Sequence, residues 1–169
     1  MFDRLFGLLA SVGEKALPWV IIDPYEQGVV LRLGRFVRSV GPGAHWRIPF
    51  IDTVLYENVV PKVERLQSQS IQTADGKSAT VRLTATYRIW DIEAALLQVD
   101  DVTASTLDAI MGRAAPLLAR STWDEITDPA FSLLLTAECA EAVEEFGVEI
   151  IRVQLSDLTT ARTFRLFME

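Results

Sequence analysis

The feature that most constrains this chain is a run of strict two-residue alternation directly after an Asp-Gly turn, in residues 71–91, IQTADGKSATVRLTATYRIWD. From Thr80 on, Val81, Leu83, Ala85, Tyr87 and Ile89 fall on one side of an extended chain, with Thr80, Arg82, Thr84, Thr86, Arg88 and Trp90 on the other. A period of two does not fit a helix, so the stretch predicts a strand with one face on a core. Asp75-Gly76 supplies the turn of a hairpin that begins at Ile71, because glycine accepts the positive φ such turns demand. The hydroxylated and cationic face is either solvated or a seam for another subunit. Arg82, Arg88 and Trp90 are the candidate contacts on that seam.

A core of some size is available, since half of the 169 residues are apolar, which excludes a disordered class. No internal repeat is visible, and the length suits one domain or two small lobes. The net charge of −7 is unevenly placed. Residues 1–65 carry eight Lys/Arg against seven Asp/Glu, whereas residues 66–169 carry eight against sixteen. The basic residues Arg32, Arg35, Arg38 and Arg47 form too short a cluster, with no recognition motif around it, so nucleic acid is not an expected partner. Cys139 is the only cysteine, which forbids an intrachain disulfide and suits a reducing compartment.

Residues 1–22, MFDRLFGLLASVGEKALPWVII, make a poor membrane span because Asp3, Arg4, Glu14 and Lys15 interrupt them and Pro18 breaks them. On a helical wheel, Asp3, Arg4, Gly7, Ser11, Glu14 and Lys15 share one arc, while Phe2, Leu5, Phe6, Leu8, Leu9, Val12, Ala16 and Leu17 fill the other. Such a helix lies in a bilayer interface, with Phe2, Leu5, Phe6 and Leu9 among the acyl chains, or docks on protein. Its polar face is charge-balanced, so anionic lipid adds little to its attraction.

Further on, the pattern predicts a strand at Val20–Ile22, a turn at Glu26-Gln27-Gly28, a strand at Val29–Leu33 with alternating sides, a turn at Gly34, an irregular connector, and a loop at Gly41-Pro42-Gly43. His45, the only histidine, has no Cys, Asp or Glu at ligand spacing and reads as a structural imidazole bonded to backbone. TVLYENVVPKVERLQSQS alternates poorly and reads as one irregular strand. Helical spacing covers Ala104–Arg120, with Leu107, Ile110, Met111, Ala114, Leu117 and Leu118 inward; Pro116 either kinks it or divides it. Ser121 or Thr122 is a cap candidate.

A second helix over Pro129–Phe146 turns Phe131, Leu134, Leu135, Cys139, Ala142, Val143 and Phe146 to the core and Glu138, Glu141, Glu144 and Glu145 to solvent. Gly147 ends it. In the strand that follows, Val148, Ile150 and Arg152 oppose Glu149, Ile151, Val153 and Leu155, and apolar residues on both sides predict a well-covered strand. No nucleophile–base pair, paired acid and base or metal set is visible, so no catalytic residue and no cofactor is expected.

Three phrases in order resemble one family. EQGVVLRLGRFVRSVGPGAHWRIPFID places Arg32, Gly34, Arg35, Pro42, Gly43, His45, Pro49, Phe50, Ile51 and Asp52 on the opening pattern of the stomatin/prohibitin/flotillin family, the SPFH or band 7 domain, with Trp46 in place of the usual Phe. The hairpin matches its second phrase through Gln72, Thr73, Asp75, Gly76, Val81, Tyr87, Arg88, Ile89 and Asp91. EEFGVEIIRVQLSDL resembles the third. The resemblance covers about residues 23–157.

It implies an α+β fold, an antiparallel sheet packed by helices with a small β-rich N-terminal lobe. The expected organisation is an interface helix and lead-in strand over 1–22, a β-rich lobe over 23–66, an α/β lobe over 67–157, and a short apolar C-terminal helix over 158–169. It further implies a non-enzymatic, membrane-associated scaffold that assembles with itself into rings, cages or filaments, or a regulatory module that restrains a membrane protease or channel. The expected location is peripheral on a membrane, facing the cytoplasm. Members usually carry a hydrophobic span or hairpin at the amino end and a long coiled coil after the domain; here an amphipathic segment and twelve C-terminal residues stand in those places. Phe164 and Phe167 in that last segment are candidate subunit contacts, with intramolecular packing as the alternative.

Overall fold

A computed structural model describes residues 17–160. They divide into two compact units: the described residues up to Val60 together with Asp91–Asp100, and Pro61–Trp90 together with the described residues from Asp101 onward. The division falls at Val60/Pro61 instead of after residue 66, and the chain returns to the first unit for ten residues.

The first unit holds β1 (Trp19–Ile22), β2 (Glu26–Arg32), β3 (Arg35–Val40), β4 (Gly43–Trp46), β5 (Asp52–Asn58) and α1 (Ile92–Leu97). β1 and β4 form an antiparallel ribbon in which Trp19 faces Trp46. β2 lies between β3 and β5, both antiparallel to it. Gly28 is required there, because a Cβ would stand 2.3 Å from the Leu55 carbonyl oxygen. Ile22, Val30 and Val40 make a small core with Val20 and Val54 against it. Asp91 caps α1 by accepting from the Glu93 and Ala94 amides, and α1 packs on β2 and β5.

Several expectations are corrected in this unit. Glu26 donates to the Asp23 carbonyl, so the turn is at Asp23–Glu26 and Glu26-Gln27-Gly28 is already strand. Val29 and Val30 are both buried while Leu33 is exposed, so β2 does not alternate as its sequence suggests. A register shift between Val30 and Leu31 and cover on both faces at Val29 and Val30 are the reason. The supposed connector after Gly34 is β3, exposed along nearly all of its length, and the supposed single irregular strand is β5, a separate strand at Lys62–Arg65 and the start of another at Gln69.

In the second unit, β8 (Ser78–Ile89) is the central strand. β6 (Lys62–Arg65) and β7 (Gln69–Gln72) lie end to end along one edge of it and β9 (Val148–Thr160) along the other, all antiparallel. Val81, Leu83, Ala85, Tyr87 and Ile89 are buried, as the alternation predicts. The helices are α2 (Val102–Arg120), α3 (Trp123–Thr127) and α4 (Phe131–Val143), and α4 packs on β9 and α2.

Pro116 remains within one helix on an exposed position, so the chain is not divided there. Thr122 and Glu125 form a capping box for α3, while the Ser121 hydroxyl donates to the Leu117 carbonyl. A 3₁₀ turn at Glu144–Phe146 and Gly147 at φ 67° end α4. Phe131, Leu135, Cys139 and Val143 are buried, but Leu134 is exposed, and Leu107 and Met111 are half-buried. Glu138 faces outward as expected, and Arg120 donates to it at 3.1 Å.

β9 departs from its predicted faces. Tyr87 pairs with Ile150 and Thr86 with Arg152, leaving Ile151 as a bulge residue; Ser156 is another, between Leu155 and Asp157. The extra residue re-aims the strand, so Ile150 and Val153 are both buried while Ile151 is 47% exposed. Ile151 is therefore uncovered, contrary to expectation. β9 also continues to Thr160, so Leu158 is strand and not the start of a helix.

Candidate interaction surfaces

Chemistry-bearing side chains are spent on structure. A ring nitrogen of His45 donates to the Gly41 carbonyl at 2.7 Å, closing the glycine-rich loop. Burial pushes the Cys139 thiol up to about 11 and leaves it a small core residue. Among the described residues, no group of three or more His, Cys, Asp or Glu could hold a metal ion.

The first sequence phrase builds a clamp. Arg32 grips Asp52 with two parallel bonds, Nε at 2.8 Å and Nη2 at 3.1 Å, and Asp52 also accepts from the Ile48 amide at 2.9 Å. The Arg32 guanidinium, then the Ile48 amide, hold this carboxyl well below its usual range, at about 2. The clamp joins the end of β2 to the start of β5, and Leu33 donates to the Ile51 carbonyl across the same junction. Two residues without glycine's freedom sit here in the left-handed region, Leu33 at φ 50° and Phe50 at φ 64°. Both are turned to solvent, 79% and 76% exposed.

The second phrase builds another. The Thr73 hydroxyl donates to Asp75, Lys77 pairs with Asp75 at 2.9 Å, and the Trp123 amide donates to Asp75 across to α3. Lys77 also lies over the Trp123 ring, 5.6 Å from its centroid. The Thr73 hydroxyl and Lys77 hold the Asp75 carboxyl at about 2. The conspicuous Asp-Gly turn thus pins the hairpin to the helical layer of its own unit.

Of the predicted contact residues, Arg88 and Trp90 are brought together. They line an open groove of about 560 Å³ with Glu141, Glu144, Glu149 and Ile150, where Arg88 pairs with Glu149 at 2.6 Å and Trp90 is 59% exposed. Arg82 lies apart, donating to the Ser68 hydroxyl and lining a second groove with Arg65, Thr84 and Gln154. Phe2, Leu5, Phe6, Leu9, Phe164 and Phe167 lie outside the described residues. Leu33 and Phe50 were not among the candidates, because no periodicity marks an apolar side chain held outward by a left-handed backbone.

Two signature clamps on antiparallel sheets, with helices over one of them, define an α+β band 7 domain. The profile of the SPFH domain / Band 7 family matches residues 20–169, and the chain belongs to that family. It is similar to an uncharacterized protein of Methanocaldococcus jannaschii, 25% identical over 160 residues that cover 93% of this chain and 79% of the relative. It is also similar to Stomatin-1 of Caenorhabditis elegans, 30% identical over 82% of this chain and 43% of that protein. With Protein HflK of Vibrio cholerae it shares 36% identity over 63% of this chain and 30% of HflK. The chain therefore spans less than half the length of the last two. Among the described residues, no helix is long and apolar enough to cross a membrane.

Proposed function

We propose that this protein is a non-enzymatic, membrane-associated scaffold that assembles with copies of itself and organises a membrane patch or partner proteins. The observation that carries this reading is the outer edge of β9. That strand runs thirteen residues, from Val148 to Thr160, and among the described residues β8 is its only strand partner. An unpaired edge of this length is a template for another chain. The Thr136 hydroxyl covers it at one point, bonding the Val153 amide and carbonyl. The exposed Ile151 and the Trp90–Arg88 groove add contact surface in the same unit. Phe164 and Phe167, outside the described residues, are assigned as further subunit contacts, and Phe2, Leu5, Phe6 and Leu9 as the contacts with a bilayer that the protein meets peripherally, facing the cytoplasm.

Mass photometry at micromolar concentration tests the assembly: defined oligomers are expected, and Ile151→Lys, which puts a charge on the open edge, is expected to shift them toward monomers. A wild-type monomer sinks the scaffold and leaves a regulatory module that restrains a membrane protease or channel.

A further inference from the structure

We infer that the Trp90 groove of one copy holds residues 162–167, RTFRLF, of a second copy. This rests on the self-assembling reading above and goes beyond it by pairing a particular groove with a particular segment.

The groove is built on fixed backbone. Trp90 follows directly on β8, its amide donates to the Gly147 carbonyl at 3.0 Å, and its indole stays exposed in a groove that Val148 and Ile150 also line. The charge here is not balanced from within. Arg88 is spent on Glu149 at 2.6 Å, whereas Glu141 and Glu144 have no ion-pair partner among the described residues. Glu141 stands in the last turn of α4 and Glu144 caps it, with no basic residue in that turn, although a helix already presents the negative pole of its dipole at this end. Two carboxylates in such a field favour cations supplied from elsewhere. The groove therefore suits positive charge and a flat apolar group together, since a guanidinium or an aromatic ring stacks well on an indole.

The segment after β9 has both. It sets Arg162 and Arg165 between Phe164 and Phe167, with Glu169 as its one acid. The other aromatic segment, residues 2–17, balances Arg4 and Lys15 with Asp3 and Glu14, so it lacks the net charge. A copy cannot fill its own groove in this way. Ile150 lines the groove and Thr160 is ten residues further along β9, about 30 Å away at the rise of an extended strand. Even Phe167, seven residues beyond Thr160, reaches back only about 25 Å at full extension. A neighbouring copy has no such limit. Its Arg162 and Arg165 pair with Glu141 and Glu144, and Phe164 covers Trp90. Each copy then gives one segment and receives one.

Charge exchange in the full chain, followed by mass photometry across a concentration series, tests this. Arg162→Glu/Arg165→Glu and Glu141→Arg/Glu144→Arg each set like charges together, and each is expected to raise the concentration at which oligomers form by about ten-fold or more. Mixed in equal amounts, the two variants are expected to return to the wild-type assembly, because each then meets a complementary copy, a return that misfolded protein could not make. Arg162→Glu/Arg165→Glu protein is also expected to bind a labelled peptide of residues 160–169, and the further change Trp90→Ala to weaken that binding about ten-fold. Oligomers unchanged in both variants, a mixture that stays dissociated, or a peptide indifferent to Trp90→Ala overturns the inference and leaves the scaffold reading standing. Wild type that is monomeric throughout the series defeats both.

Discussion

The two units solve the folding problem differently. In the second, a twelve-residue central strand buries Val81, Leu83, Ala85 and Tyr87 under helices that contribute Ile110, Leu118, Leu135 and Val143, all at or near zero exposure. The first buries fewer and smaller side chains, Ile22, Val29, Val30, Val40, Ile92 and Ala95 among them, and its strand β3 is exposed at five of six positions. It depends on a carboxylate–guanidinium clamp and a glycine-only backbone contact where the second unit depends on apolar area. A lobe held by such point contacts can leave its aromatic and aliphatic residues outside, free for a partner. The second unit also leaves Trp90 and Ile151 outside, but over a layer of fully buried side chains.

The contrast can be broken most directly in the cores. Leu83→Ala in the second unit is expected to cost about 3 kcal/mol, and Val30→Ala in the first about 2 kcal/mol, read as shifts in urea midpoint. Equal or reversed losses would mean that the first unit is also held by burial. Next in size, Gly28→Ala should cost about 2 kcal/mol, since a methyl group at 2.3 Å from the Leu55 oxygen forces the β2–β5 ladder apart. A neutral result would show that the ladder gives way easily.

The smallest expected effect is a pH dependence shared by both clamps. The carboxyls of Asp52 and Asp75 are each held at about 2 in the folded state, below the ordinary carboxylate value of 3.8. Their stabilisation is present above the unfolded value and is lost as pH falls through about 2, so midpoints should decline between roughly pH 4 and pH 2. Solvent around Arg32 and Lys77 screens both clamps and keeps the slope modest. Asp52→Asn should flatten the first unit's share and leave the second unit's share intact, which resolved thermal transitions would display.

Legibility followed the same divide. The β8 alternation, the Asp-Gly turn, the Gly147 helix end and the inward Cys139 are local patterns, and each is found where its period or backbone requirement places it. β3 was missed because RFVRSV meets almost no core, so nothing forces its residues to alternate. α1 was missed because six residues are too few to display a helical period, although Asp91 is an ordinary N-cap. The β9 faces went wrong after Ile150 because a bulge inserts one residue and inverts the parity of those that follow, up to the second bulge at Ser156. Trp90 and Arg88 were legible as exposed on one face of β8, but their groove with Glu141 and Glu144 needed the end of α4 to arrive beside them.

The sequence by itself determined the family, the central strand and its buried face, and the helical layer, because these depend on short-range periods and on motifs written in consecutive residues. Only the tertiary structure decided that Arg32 meets Asp52, that Asp75 holds α3, and that Leu33 and Phe50 stand together in solvent. Those residues are 20, 48 and 17 positions apart. Their meeting is set by strand register and turn geometry, which no local pattern of side chains encodes.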